Sequence, residues 1–395
     1  MTRRFGLAAM LLWGACDGTA SVSGEDLAPD VSVGDTAGPA PDAEPGSEDV
    51  TADAGVEPDL VAPDSDGAEV AEPPTWDEVK VTVGIAATSL SMGEQRVAWE
   101  DAGAIWVYDL AGGARVALAA GPSAHVGPVL ANGDAEIVFS DDRNGNFDLF
   151  TLDIATLVVT PLVVAEGDQV APTADGDIVA WVDKRAGDQP TLAEIWAWDR
   201  ATGTPRALTA DLAEQSLPFV RGRRVVFTDF GADPDKQFLE GEDPNDDNGD
   251  IAAFDLPEGA GALGERIAVS EDPDKQSHAA IDGDRVVWLD WRGISPEPKY
   301  KAFKVYGRAL GQPEVMLGES SWSRPALWQR PAIDGESIAW VVETSAPRVM
   351  VGTLAGTAVE VPASFGELDA IGLRNGALAF LGGGRLGIQP LDAGL

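Results

Sequence analysis

The chain repeats itself seven times. Short apolar runs end at Trp99, Phe139, Trp181, Phe227, Trp288, Trp340 and Phe380 and read VAW, IVF, VAW, VVF, VVW, IAW and LAF. Their aromatic ends stand 40, 42, 46, 61, 52 and 40 residues apart. Other positions keep step with the aromatic. Asp follows two places on at Asp101, Asp141, Asp183, Asp229 and Asp290, and Arg four places on at Arg143, Arg185 and Arg292. Asp-Gly comes just before it in ADGDIVAW, IDGDRVVW and IDGESIAW. Twelve places before it stand Gln169, Gln215 and Gln276, with Trp328 in the sixth unit. A second run follows in every unit: IWVYDL, DLFTLDI, EIWAWDR, DIAAFDL, AFKVYGR, RVMVGTL and RLGIQPL. A period of this length limits the chain to architectures in which each unit packs on the next.

Trp, Val and Ile in short runs, broken by Gly, Asp, Asn and Pro, are a strand signal. A unit of about 40 residues with four short strands is the size of a propeller blade. One blade cannot bury both of its faces, so the units must stack radially. The expected fold is an all-β β-propeller over residues 76–395, with seven blades and a six-bladed ring as the rival. The seventh unit ends one strand short. The segment VKVTVG, residues 79–84, has no unit of its own and alternates Val with Lys or Thr as a half-buried strand does. Placed as the outermost strand of the last blade, it closes the ring and removes an open seam.

Two stretches carry clustered oxygen side chains. FSDDRNGNFDLF, residues 139–150, has Asn144-Gly145 between two strand runs, and Asn-Gly is the pair favoured in a tight type I′ hairpin. Asp142, Asn144, Asn146 and Asp148 also alternate as calcium ligands do. The longest insertion, residues 230–255, contains DPNDDNGD, in which Asp243, Asn245 and Asp247 alternate before Gly249 and Asp250. That is a candidate calcium site, with a solvated, ion-free acidic loop as the other reading. It is no EF-hand, because the position of the bidentate Glu falls on Phe254. Calcium is the single cofactor these residues suggest.

The repeat, with D-R-N-G-N-x-D followed by an aromatic and x-x-D, resembles the TolB-type β-propeller repeat. The resemblance covers roughly residues 77–395 and is strongest at 122–212 and 273–292. In TolB a separate N-terminal α/β domain accompanies the propeller. Here an acidic segment stands in its place, so the resemblance implies the fold and not the same task.

Residues 1–15 read as a bacterial signal peptide: Arg3 and Arg4, a short apolar core, then Gly14-Ala15. The lone cysteine of the chain, Cys16, follows directly, and Leu12-Trp13-Gly14-Ala15-Cys16 resembles a lipobox with Trp13 in a small-residue place. Cys16 is the expected lipidation site. Residues 17–75 hold no Lys or Arg and 16 Asp or Glu. Such a stretch buries too little apolar surface to offset the entropy of ordering it, so residues 16–75 are expected to be a disordered, extended linker. The formal net charge of −39 argues against nucleic acid and against docking on anionic lipid. The expected localisation is the cell envelope, outer membrane ahead of inner, with membrane contact through the lipid alone. A monomer is expected, with an envelope protein or glycan as partner.

Catalytic groups are sparse. Beyond Cys16 the chain has two histidines, His125 and His278, and no cysteine. No Gly-x-Ser-x-Gly, His-Glu-x-x-His or phosphate-loop motif occurs. The reading is a non-enzymatic binding or scaffolding module, and the alternative is a propeller hydrolase or lyase acting on glycans. A ligand is expected in the funnel where the innermost strands meet, with Gln169, Gln215, Gln276 and Trp328 as candidate residues. The competing role for these side chains is to hydrogen-bond between blades.

Overall fold

The structure is a computed structural model that describes residues 77–80, 90–185, 193–210, 213–232, 248–293, 302–321, 329–342, 347–356, 358–361, 368–382 and 385–391. Cys16, the acidic linker, Trp328 and the stretch 243–247 lie outside these residues.

Seven four-stranded antiparallel sheets form seven blades. Blade 1 runs from Leu90 to Leu118, blade 2 from His125 to Val163, blade 3 from Gln169 to Ala207 and blade 4 from Gln215 to Ser270. Blade 5 runs from Gln276 to Ser321 and blade 6 from Ala332 to Val361. Blade 7 takes three strands from Ala370 to Pro390, and its outermost strand is Asp77–Lys80 from the other end of the sequence. Asp77, Val79 and Lys80 pair with Ile388, Leu386 and Arg385. The ring is therefore closed as the sequence pattern implies, with a shift. The paired strand begins at Asp77, and of the expected 79–84 only 79–80 fall within the described residues.

The hydrophobic pattern of each strand follows from its depth in the blade. Second strands carry the repeated aromatic and are buried on both faces, as in Ile178–Asp183 and Arg285–Asp290. Third strands alternate, as in Glu194–Asp199. Outer strands such as Val159–Val163 and Thr204–Ala207 face solvent on most residues. The core sits between blades. Ile178, Ala180 and Val182 of blade 3 pack with Val220, Val225 and Phe227 of blade 4. At the closing seam Val97 and Trp99 of blade 1 meet Ala379, Leu381 and Ile388 of blade 7. Gly372 makes this seam possible, since a Cβ there would lie 2.9 Å from the Cβ of Met92.

The Asp-Gly repeat links blades as well as turning the chain. Gly176, Gly222, Gly283 and Gly335 follow the inner strands at φ of 56–61°, a region costly for residues with a side chain. The preceding carboxylates cap the next blade: Asp175 accepts from the Gly222 N–H at 2.7 Å and Asp282 from the Gly335 N–H at 2.6 Å.

Candidate functional site

In each blade the start of the inner strand, the end of the second and the start of the third lie level, at one face of the disc. Gln169 pairs with Asp183, which pairs with Glu194; Gln276 pairs with Asp290, which pairs with Lys304. The repeated Asp and Arg brace the turns at this face. Arg292 grips Asp290 with two prongs, Nε to Oδ1 at 2.9 Å and Nη2 to Oδ2 at 2.6 Å, while its backbone N–H adds a bond of 2.8 Å. Arg143 on Asp141 and Arg185 on Asp183 repeat the arrangement. Each guanidinium also lies over an aromatic ring of the third strand: Phe150 at 4.2 Å, Trp196 at 3.7 Å and Tyr306 at 4.3 Å. The repeated tryptophans complete the unit, with Trp181 Nε1 donating to Asp183 at 2.8 Å and Trp288 Nε1 to Asp290 at 3.0 Å. Burial alone would raise the Asp141 carboxyl, but the hydrogen bonds from Arg143 outweigh it and hold it below its usual range.

Blade 4 keeps the design with a part from elsewhere. Gly231 stands where blades 2, 3 and 5 have Arg, and Arg266 takes over, 2.9 Å from Asp229. Sequence spacing hides this substitution, because the replacement is 37 residues from its carboxylate.

Gln169, Gln215 and Gln276 share one place, the first residue of the inner strand, and all three are fully buried. Gln169 Nε2 donates to the carbonyls of Glu166 and Gly167 at 3.3 and 3.1 Å, and Gln276 Nε2 to those of Asp272 and Asp274. Gln215 Nε2 donates to Asp229 at 3.4 Å. Two of the three amides thus hold the loop that feeds their own strand. His125 occupies the same place in blade 2, opposite Asp141. The twelve-residue spacing misses it because the turn at 132–135 is longer. The pattern HVGP, QVAP and QSLP would have found it.

His125 lies in a Ser–His–Asp group that is not a nucleophilic triad. Its Nε2 is 3.0 Å from Asp141 Oδ2 and 3.4 Å from Ser123 Oγ, and its Nδ1 is 3.1 Å from the Gly103 carbonyl. A triad needs the acid and the nucleophile on opposite ring nitrogens, and here both sit at one.

The hairpin at 142–147 differs from the expected type I′ turn. Gly145 has φ of 102°, but Asn144 is not in the left-handed region. The six-residue connection is instead pinned by side chains. Asn144 Nδ2 donates to Asp148 at 2.7 Å, and Asn146 Nδ2 donates to the Ala165 carbonyl at 3.1 Å. Asp142 accepts from the Ala124 N–H at 2.7 Å. The oxygens that could have formed a calcium loop are turned to these amide donors. Among the described residues no group of three or more His, Cys, Asp or Glu is arranged to hold a metal. Of the insertion residues, Asp250 is described: it is buried, pairs with Asp229 across the blade, and burial, then Glu271, push its carboxyl up to about 6.

Just inside this face the inner strands of blades 2–5 all bulge. The ladder slips between Val126 and Val129, Val170 and Thr173, Ser216 and Phe219, and Ser277 and Ala280. One residue in each bulge is left-handed: Gly127, Ala171, Leu217 and His278, at φ of 50–61°. In three of them proline follows, at Pro128, Pro172 and Pro218. Proline has no N–H to give to a ladder, so a bulge is where a central strand can carry it.

No protein-family model matches the chain, and no curated protein matches it. Solved structures do. An oligogalacturonate lyase in complex with manganese is similar at a TM-score of 0.51 and 15% identity, over 82% of this chain and 97% of that one. A puromycin hydrolase mutant complexed with PGG gives 0.54 and 14%, over 76% and 50%. TolB from Acinetobacter baumannii gives 0.45 and 14%, over 66% and 60%, so the chain spans less than two thirds of that protein. TolB propellers are thus among the similar structures, and identities this low show the fold alone.

Proposed function

We propose that this chain is a non-enzymatic binding or scaffolding propeller of the bacterial cell envelope, anchored through a lipid on Cys16 and held off the membrane by its acidic linker. One observation carries the binding role. The longest connections between second and third strands, 184–193, 230–249 and 291–301, leave and rejoin the disc at one face, on the consecutive blades 3, 4 and 5. The repeated Asp and Arg beneath them are spent on bracing turns. A rigid platform with long, unlike connections on one arc is how loop-borne recognition is built. In this reading Gln169, Gln215 and Gln276 act indirectly, by fixing the mouth of the central funnel. The partner is an envelope protein or glycan, engaged by a monomer, and nucleic acid is not a partner.

The test is capture from the native envelope with the tagged full-length chain. A partner lost when Gln169, Gln215 and Gln276 are all replaced by Ala supports the reading. Mass spectrometry of the mature N-terminus tests the anchor: an unmodified Cys16 thiol ends that part. The second reading, a hydrolase or lyase acting on glycans, is favoured by Asp250, whose raised carboxyl has the character of a general acid. Glycan turnover abolished by Asp250→Asn would replace the first reading with it.

A further inference from the structure

The chemistry of the ligand can be taken further, resting on the reading that the funnel is a binding site. The far end of the channel is bridged. Asp175 of blade 3 lies 3.2 Å from Arg374 of blade 7 and 3.7 Å from Arg221 of blade 4. Blades 3 and 7 are not neighbours in the ring, so the first contact crosses the axis. Arg221 donates to the Ile333 carbonyl of blade 6 at 3.0 Å and lies 3.9 Å from Asp334. The four inner strands meet there as a floor.

Arg330 stands between this floor and the mouth. It leads into the inner strand of blade 6 and reaches the bulges of blades 4 and 5. Nη1 donates to the carbonyls of Pro218 and Ala279 at 3.2 and 2.8 Å, and Nη2 to that of Leu217 at 3.1 Å. Its guanidinium carbon is 5.2 Å from the centre of the Phe219 ring. Arg143, Arg185, Arg223, Arg266 and Arg292 each meet a carboxylate; Arg330 meets neutral carbonyls. Burial pulls it down to about 10, yet its side chain is not sealed off and keeps partial exposure. His278 is held well below its usual range, first by burial and then by the charges of Arg330 and Lys275.

The hydrogen bonds leave a defined edge free. Leu217 and Pro218 are adjacent, so the Nη1–Nη2 edge faces them, and the second Nη1 hydrogen goes to Ala279. What remains is Nε–H with the second Nη2–H. This is the edge with which Arg143, Arg185 and Arg292 grip their aspartates in the same molecule, and it matches an oxyanion in two-pronged fashion. We propose that the channel is a pocket open at one mouth, in which Arg330 binds an oxyanion of the ligand, a carboxylate or a phosphate. In a chain of net charge −39 such a spot gathers anions that the rest of the surface repels.

The experiment uses the full chain labelled with ¹⁵N-arginine. The Arg330 Nε–H resonance is assigned by its loss in Arg330→Lys, and the protein is titrated with inorganic phosphate, with glucuronate, and with neutral glucose. Saturable movement of that resonance with one or both anions, none with glucose, and affinity weakened about tenfold or more in Arg330→Gln is the expected result. Movement with phosphate alone or glucuronate alone says which oxyanion the site takes. A resonance unmoved by both anions, or equal affinity in Arg330→Gln, overturns the proposal. Should both variants fail to fold, the wild-type resonance, assigned by elimination, decides. An envelope partner captured while Arg330 stays unmoved removes this proposal alone; anion binding without any captured partner removes the scaffold reading alone.

Discussion

Asp290→Ala should be among the most damaging single changes in the propeller. The carboxylate is fully buried and accepts from four donors: Trp288 Nε1 and the backbone N–H, Nε and Nη2 of Arg292. Alanine leaves the Trp288 indole N–H buried without an acceptor, at about 1–3 kcal/mol. Arg292 keeps Glu314 at 2.6 Å and Ser270 at 3.2 Å, so its loss is about 1–2 kcal/mol. The total is about 2–5 kcal/mol. Asp101 holds the equivalent place in blade 1, but its Oδ1 has no hydrogen-bond partner; Asp101→Ala should cost less than about 1 kcal/mol. Urea unfolding of the full chain gives both values from the midpoints at unchanged slope. The indole can be isolated by a cycle: in a Trp288→Phe background the cost of Asp290→Ala should fall by roughly the buried N–H penalty. Equal costs for Asp101→Ala and Asp290→Ala, or an unchanged cost in the Phe background, would mean that the Asp290 carboxylate does not stabilise the blade through these donors.

Other expectations follow from the same geometry. The Asp250 carboxyl is raised to about 6 in the fold against an ordinary 3.8. The folded state therefore holds a proton that the unfolded chain has released, and stability falls as pH rises between those values. Asp250→Asn should stabilise by roughly 1–2 kcal/mol at pH 7.5 and by little at pH 3.5, and a gain equal at both pH values would contradict the burial argument. Deleting residues 77–84 removes the strand that closes blade 7 and should cost several kcal/mol in urea unfolding; an unchanged midpoint would deny the closure. Asp175→Asn breaks contacts to both Arg221 and Arg374; it should raise hydrogen exchange at the ends of the inner strands of blades 3, 4 and 7, and unchanged exchange there would mean the floor is not a tie.

The fold was legible because each blade solves the same packing problem. A second strand squeezed between neighbours must be apolar throughout, so VAW, VVF and VVW recur. The carboxylate that caps its end recurs in five blades, and where the run ends in Trp181 or Trp288 it also accepts from the indole. Closure by the other end of the sequence was legible from a missing strand in the last unit, though its register was not. The candidate site was less legible wherever the repeat breaks. Arg266 replaces a local arginine from across its blade. His125 hides behind a longer turn. Arg330 has no counterpart in the other blades, and its partners are backbone carbonyls freed by bulges, which leave no side-chain pattern to read. The Asn144-Gly145 pair misled because side chains, Asn146 above all, set that turn in place of backbone preference.

The chain is proposed to bind without catalysis through the mouth of its funnel. Crosslinking in the native envelope, with the full chain carrying a photoreactive residue at position 184 or 232 at the edge of the long connections, is the direct test. One recurrent partner is expected, lost when Gln169, Gln215 and Gln276 become Ala in a protein that has a lowered urea midpoint but stays folded under the crosslinking conditions. Crosslinks unaffected by that triple change, or glycan cleavage by the purified chain that depends on Asp250, would contradict it.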